Sequence, residues 1–268
     1  MLNDKKIVIL GSGNMARALA LGLKGKADIT IINPADEDTA KTFSNENGFS
    51  FGEPKNMSEA DVVILAFKPQ NLGEAKEIYG SYFTKNQTVI SILAGIRICM
   101  LEEFTGEGVA VVRTMPNLAL QVAKSATAYS LGSNATENDG KIAEEIFSLL
   151  GVVTKVDEAD LDTVTALSGS GPAYIYLLAE CMTKAAIGLG MSEQSASMLT
   201  KQTFLGTIKL WENSDESPTE LRQRITSKKG TTEAAVNTML SENVEEVIAK
   251  GIKAAKDRSC ELAEEMKR

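Results

Sequence analysis

The first 155 residues alternate short, continuously apolar runs with helical patterns, and this alternation restricts the possible folds more than any other feature. The runs are Lys6–Leu10, Ile29–Ile32, Val62–Phe67, Thr88–Leu93, Val109–Val112, Ala126–Leu131 and Val152–Val156. A strand with one wet face alternates apolar and polar residues, whereas one that is apolar throughout needs cover on both faces. A largely parallel sheet flanked by helices gives that cover. Asn14–Lys24, Asp36–Asn47 and Asn138–Leu150 carry the clearest helical spacing between the runs. The expected architecture is therefore α/β, a doubly wound and mostly parallel sheet.

From about Asp160 no strand-like run remains, and Ala, Met, Leu, Glu and Lys at helical spacing fill the chain to its end. With 268 residues and roughly 150 per domain, two domains are expected: 1–158, built on the sheet, and 159–268, all-helical. Tyr174–Met191 is apolar nearly all round, which calls for burial against several neighbours or another subunit. In the last helix Val244, Ile248, Ile252, Ala255, Leu262 and Met266 form one stripe, either a core face or an oligomer seam. Pro218 follows the turn cluster Asn213–Ser217 and marks the start of a helix.

Composition narrows the chemistry. There is no histidine, so a Ser-His-Asp triad, a Cys-His pair, a His-ligated metal and an imidazole base are all excluded. Catalysis must then use carboxylates, Lys, Tyr, hydroxyls or a bound cofactor; no metal is expected. A net charge of −8 with no basic face argues against a nucleic-acid or anionic-membrane partner. Cys99, Cys181 and Cys260 show no CxxC spacing and read as reduced thiols. Neither a signal peptide nor a membrane span fits the sequence, so the expected location is the cytoplasm.

Gly11-Ser12-Gly13-Asn14-Met15-Ala16 follows the first strand directly and opens a helix. In that context Gly11 serves the tight turn, Gly13 lets a pyrophosphate approach the backbone, and Ala16 allows close helix–strand packing, the arrangement of a dinucleotide-binding turn. At the end of the second strand, where an acidic residue would hold the ribose of NAD, stands Asn33. A neutral residue tolerates a 2′-phosphate better, but Pro34-Ala35-Asp36 adds no arginine, so NADP and NAD both stay open. Lys68-Pro69 ends the third long run at the ligand-binding edge, where Lys68 either points to the nicotinamide side or is an ordinary exposed lysine. Leu167-Ser168-Gly169-Ser170-Gly171-Pro172-Ala173 enters the apolar helix with bare backbone, as a ligand-facing turn or a packed cap. Thr226-Ser227-Lys228-Lys229-Gly230-Thr231-Thr232 offers four hydroxyls and free N–H groups before a helix over Glu233–Leu240, a nest for a small carboxylate or a polar cap.

GSGNMA at 11–16, LAFKPQ at 65–70, RTMPN at 113–117, ALSGSGPAY at 166–174 and KGTT at 229–232 stand in the order and spacing of pyrroline-5-carboxylate reductases, and the chain resembles that family over essentially its whole length. The resemblance implies a Rossmann-type domain followed by an all-helical dimerisation domain, a homodimer that can build a ring of dimers, and NAD(P)H reduction of 1-pyrroline-5-carboxylate to proline. It places Gly11, Ser12, Gly13, Asn14 and Met15 on the pyrophosphate and Asn33 and Asn56 on the adenosine side. Ala66, Lys68, Pro69, Ala94 and Gly95 fall to the ribose and nicotinamide. Ser168 and Gly169 would line the cofactor, and Ser227, Gly230, Thr231 and Thr232 the substrate, with the Thr232 hydroxyl on the ring nitrogen. The chemistry suits a chain without histidine, because an imine is basic enough to accept hydride in its protonated form.

Three features depart from the family pattern. An arginine usually follows the position of Asn33, and its loss weakens the preference for NADP. The Ser-Pro-Gly-Gly run before the paired threonines is Ser227-Lys228-Lys229-Gly230, and the segment after Asn117 lacks the usual proline and glycine. The latter two leave room for a related reductase with an altered cyclic imine, or a dinucleotide-binding paralogue that has lost catalysis and serves as a regulatory or interaction protein.

Overall fold

The computed structural model describes residues 2–266. Its sheet is built from β1 (Lys6–Leu10), β2 (Asp28–Ile32), β3 (Ser50–Phe51), β4 (Val62–Leu65), β5 (Thr88–Ser91), β6 (Ala110–Met115), β7 (Ser125–Leu131) and β8 (Gly151–Lys155). The strands lie in the order β3-β2-β1-β4-β5-β6-β7-β8. Neighbours are parallel, with Ile7 opposite both Ile29 and Val62, except that β6 and β7 are antiparallel, with Thr114 opposite Tyr129. The β6–β7 connection holds no crossover helix, only a short helical turn over Leu118–Val122, so the chain returns beside the strand it has just left.

The continuous apolar runs have the expected cause. Residues Ile7, Ile9, Ile31, Ile64 and Ile90 face α1 (Asn14–Gly22), α2 (Glu37–Asn47) and α5 (Glu137–Ser148), where they meet Leu19, Phe43 and Phe147. The intervening Val8, Leu10, Val63, Leu65 and Val89 face α3 (Leu72–Tyr79) and α4 (Ile98–Thr105), meeting Ala75, Leu101 and Phe104. Both faces are thus dry, and no polar alternation could appear in these strands. The ladder stops before the apolar runs do: Phe67 and Leu93, read as strand, lie beyond β4 and β5. The two-residue β3 was not anticipated at all.

Helix starts follow their caps. Asp36, expected inside α2, is its N-cap and accepts the Thr39 N–H at 3.3 Å. Ser217 and Glu220 form a reciprocal capping box around Pro218, which begins α9 (Pro218–Arg224).

The chain divides into two compact units, one of the described residues up to Ser170 together with those from Ala255 on, the other Gly171–Ala254. Among the described residues every element beyond β8 is helical: a 3₁₀ turn over Glu158–Asp160, α6 (Leu161–Val164), a π-helical turn over Thr165–Gly169, α7 (Gly171–Gly188), α8 (Glu193–Glu212), α9, α10 (Thr231–Ser241) and α11 (Val244–Glu265). In the first unit the last turns of α11 are core, with Ser259 and Ala263 buried. In the second unit α7 packs on α8, yet α7 buries no residue and α8 only Ala196 and Thr200. Among the described residues no helix is long and apolar enough to cross a membrane.

Candidate functional site

At the carboxyl edge of the sheet the connections diverge: β1 leads toward β2 and β3, while β4 leads the other way to β5 and β6. The crevice at such a reversal is where open α/β sheets bind ligands. The turn after β1 and the turn after β4 flank it and touch. The Gly11 N–H donates to the Ile32 carbonyl at 2.8 Å, the Ala66 N–H to the Leu10 carbonyl at 2.9 Å. Gly11 has φ +119°, and a Cβ placed there would lie 2.5 Å from the Ala66 carbonyl oxygen. Only glycine meets both conditions without displacing backbone.

Gly13 is the N-cap of α1 and contributes no side chain, so no side chain claims the first-turn N–H groups. Nothing lies within 4 Å of where a Gly13 Cβ would be. Together with the positive end of the helix dipole this leaves an open cradle suited to a diphosphate. Ser12 is buried, Gly13 and Asn14 are exposed and Met15 is half-buried.

Asn33 follows β2, and its Nδ2 donates to Ser12 Oγ at 2.8 Å, which ties the end of β2 to the glycine turn. Asn56 sits in the 3₁₀ turn Pro54–Glu59, where its Oδ1 accepts the Glu53 N–H at 2.7 Å. Asn56 lines a groove of about 430 Å³ with Ile32, Pro34, Lys41 and Gly52, the residues on either side of Asn33 in the chain being among its walls. Lys68 is exposed after β4, and Pro69 begins the 3₁₀ turn that leads to α3.

Ala94 is exposed and Gly95 buried in the turn after β5, where Gly95 has φ +77° and its missing Cβ would meet Leu262 at 3.5 Å. What holds this turn is not announced by any motif in the sequence. Arg97, just beyond it, pairs with Asp162 at 2.8 Å. Asp162 is 3 % exposed, accepts from Ser259 Oγ at 2.9 Å and lies 3.7 Å from the guanidinium of Arg113, itself 3 % exposed. Arg113 also pairs with Glu158 at 3.0 Å, and the same Glu158 oxygen accepts the Ile98 N–H at 2.7 Å. Burial alone would raise the Asp162 carboxyl. The hydrogen bonds from Ser259 and Cys260 and the charges of Arg97 and Arg113 outweigh it and hold the carboxyl below its ordinary value. The partners are 65 and 97 residues apart in sequence (162 − 97 and 259 − 162), and no local pattern announces them.

Ser168 and Gly169 lie in the π-helical turn beside the end of β6. The Ser168 carbonyl accepts Asn117 Nδ2 at 3.0 Å, and a Gly169 Cβ would lie 2.6 Å from Met115 Cε. Arg17 is also not marked by any motif in the sequence. It stands four residues after Gly13, and its Nε donates to the Ser12 carbonyl at 2.8 Å.

In the second unit Ser227, Gly230, Thr231 and Thr232 form one helix start. Thr231 and Thr232, read as loop, are the first two residues of α10, with Gly230 as N-cap and no side chain capping the turn. The Gly230 N–H donates to the Ser227 carbonyl at 3.0 Å, and a Gly230 Cβ would run into Ser227 Oγ. Two hydroxyls and uncapped N–H groups at a helix N-terminus suit a small carboxylate. Lys229 adopts φ +61°, and its N–H donates to Glu233 at 2.7 Å. Among the described residues no group of three His, Cys, Asp or Glu could hold a metal ion.

Comparison with known proteins agrees with this arrangement. Residues 6–95 match the family described as NADP oxidoreductase coenzyme F420-dependent, and residues 158–262 the one described as pyrroline-5-carboxylate reductase dimerisation. Pyrroline-5-carboxylate reductase 2 of Bacillus subtilis is 36 % identical, with 97 % of this chain and 96 % of that protein covered. The pyrroline-5-carboxylate reductase of Pseudomonas aeruginosa is 36 % identical over 99 % of each. Among solved structures, the Coxiella burnetii pyrroline-5-carboxylate reductase superposes with a TM-score of 0.87 at 34 % identity, over 97 % of this chain and 99 % of that one. The Plasmodium falciparum enzyme, solved with NADP bound, gives 0.85 at 26 % identity, over 98 % and 100 %. A cradle at the β1/β4 crevice, an uncapped α10 start and near-complete coverage by such relatives lead to one statement: the chain belongs to the pyrroline-5-carboxylate reductase family.

Proposed function

We propose that this protein is a pyrroline-5-carboxylate reductase that transfers hydride from NAD(P)H to the C=N bond of 1-pyrroline-5-carboxylate and yields proline. The observation that carries the reading is the Gly11–Ala66 contact beside the uncapped start of α1, in a chain covered nearly end to end by reductases of this name. Gly11 to Met15 hold the diphosphate, Asn33 and Asn56 the adenosine side, and Ala66, Lys68, Pro69, Ala94, Gly95, Ser168 and Gly169 the remaining cofactor surface. Residues 1–158 are assigned to cofactor binding and 159–268 to substrate binding and dimerisation, except that Ser168 and Gly169 join the cofactor surface from the first compact unit, which runs on to Ser170.

When bound, the reduced nicotinamide supplies the hydride. The chain's own residues bind and orient. Thr231 and the first amides of α10 hold the substrate carboxylate, and the Thr232 hydroxyl hydrogen-bonds the ring nitrogen. Serine and glycine at 227 and 230 keep this turn tight. Because the imine reacts as its conjugate acid, no side chain has to act as a strong acid, and orientation carries the rate.

A homodimer through the helical unit is part of this reading. It is supported by α7, which is apolar yet buries none of its residues within one protomer, as expected of a surface awaiting a second copy. A ring of dimers and a cytoplasmic location complete the reading, with NADPH as the favoured donor. Lys229, in a left-handed conformation in place of a more permissive residue, favours a second reading in which a different cyclic imine is reduced. Purified protein mixed with 1-pyrroline-5-carboxylate or its six-membered homologue, and NADH or NADPH followed by absorbance, tests these together. Turnover of the five-membered substrate supports the first reading, and turnover of the larger ring alone supports the second. Nucleotide binding without turnover of either would leave a non-catalytic paralogue.

A further inference from the structure

The segment after Asn33 carries three carboxylates, Asp36, Glu37 and Asp38, and no cation. Asp36 is occupied by the Thr39 N–H, and Glu37 pairs with Lys41 at 2.8 Å. Lys55, which lines the adenosine-side groove, is likewise taken, by Glu53 at 2.7 Å. Such surroundings repel a phosphate on the ribose 2′ position unless a cation arrives from another element.

Arg17 of α1 is a cation on another element close to the end of β2. Its Nε donates to the Ser12 carbonyl at 2.8 Å, and Ser12 Oγ accepts Asn33 Nδ2 at 2.8 Å, so a single buried residue links the guanidinium to the side chain at the end of β2. The guanidinium carbon stands 5.1 Å from the centroid of the Phe43 ring. Its described partners are therefore a carbonyl and an aromatic face, not a carboxylate, although Asp38 and Glu46 border the same shallow groove. A guanidinium fixed by one N–H and one stacked face keeps its Nη groups for a ligand and loses little further freedom on binding.

We propose that Arg17 is the specificity determinant for NADP(H): it receives the 2′-phosphate in the place where the segment after Asn33 offers only carboxylates. This rests on the reading of the β1/β4 crevice as a dinucleotide site. The surrounding acidic groups sharpen the choice, since without Arg17 they face the phosphate alone.

Calorimetric titration of the full chain with NADPH, NADH, 2′,5′-ADP and 5′-AMP tests the proposal, using the wild type, Arg17→Gln and Arg17→Lys. Arg17→Gln is expected to weaken NADPH and 2′,5′-ADP by about thirtyfold, or about 2 kcal/mol, and NADH and 5′-AMP by less than about threefold. Arg17→Lys should recover much of the NADPH affinity, because it restores charge without the planar fork. Equal weakening of both nucleotides would make Arg17 a purely structural prop and overturn the proposal, as would no change in either. If the wild type bound neither nucleotide, the dinucleotide reading itself would fall, which the other outcomes leave standing.

Discussion

Replacing Asp162 with alanine tests whether the buried charge network, and not packing alone, holds the turn after β5. Asp162 and Arg113 are each 3 % exposed, whereas Arg97 is 23 % exposed. Breaking a buried ion pair by deleting one partner costs about 3–5 kcal/mol when the survivor is left uncompensated. Here compensation is partial: Arg113 keeps Glu158 at 3.0 Å, and Arg97 can turn to water. Ser259 Oγ loses its acceptor, which adds about 1 kcal/mol. The expected loss is about 3 kcal/mol at neutral pH, the lower part of that range. Urea unfolding followed by far-UV circular dichroism measures it, and hydrogen exchange should localise the loosening to 94–98, 110–115 and 259–266. The pH dependence has a definite sign. The Asp162 carboxyl is held below its ordinary value by Ser259, Cys260 and the two arginines, against the upward push of burial. Its contribution is therefore present above about pH 4 and is lost as pH falls through the lower, folded-state value. The gap between wild type and Asp162→Ala should close in acid. A variant within about 1 kcal/mol of wild type at pH 7, well under the expected range, or a gap unchanged down to pH 3, would refute the reasoning.

Gly11→Ala should destabilise the first unit by about 3 kcal/mol, since φ +119° strains an L-residue and the new methyl meets Ala66 backbone at 2.5 Å; an unshifted urea midpoint would contradict this. Thr232→Ala should lower kcat/KM by about 1–3 kcal/mol with nucleotide Kd unchanged, and unaltered kinetics would remove Thr232 from the mechanism. Asn33→Asp brings a carboxylate to the atom now 2.8 Å from Ser12 Oγ and should shift the kcat/KM ratio toward NADH by about tenfold. A constant ratio would place Asn33 away from the 2′ position.

What the sequence disclosed and what it hid separate along physical lines. The strands around β1 and β4 were legible because both faces are buried and the apolar runs are therefore unbroken, as in Val62 to Leu65. Gly11 to Gly13 were legible because the turn, the cradle and the helix start are all local. Ser50–Phe51 was not, since two residues carry no period. The reversal of β7 was hidden because direction depends on the missing crossover and not on the composition of either strand. Thr231 and Thr232 looked like loop because polar residues suit both a loop and a first helical turn. Arg97, Arg113 and Asp162 share no local pattern, and only the fold brings them together over long sequence separations. Arg17 was overlooked because the cation that matters near Asn33 comes from the preceding helix.

The helical unit leaves large side chains uncovered in a single protomer, among them Tyr176, Leu177, Met198, Leu205 and Trp211. If a second copy supplies the cover, folding and self-association share one equilibrium, and the melting temperature acquires a mass-action term. Thermal midpoints would then climb with total protein, and a variant that looks sound in a crystallisation drop could unravel at the nanomolar levels of an enzyme assay.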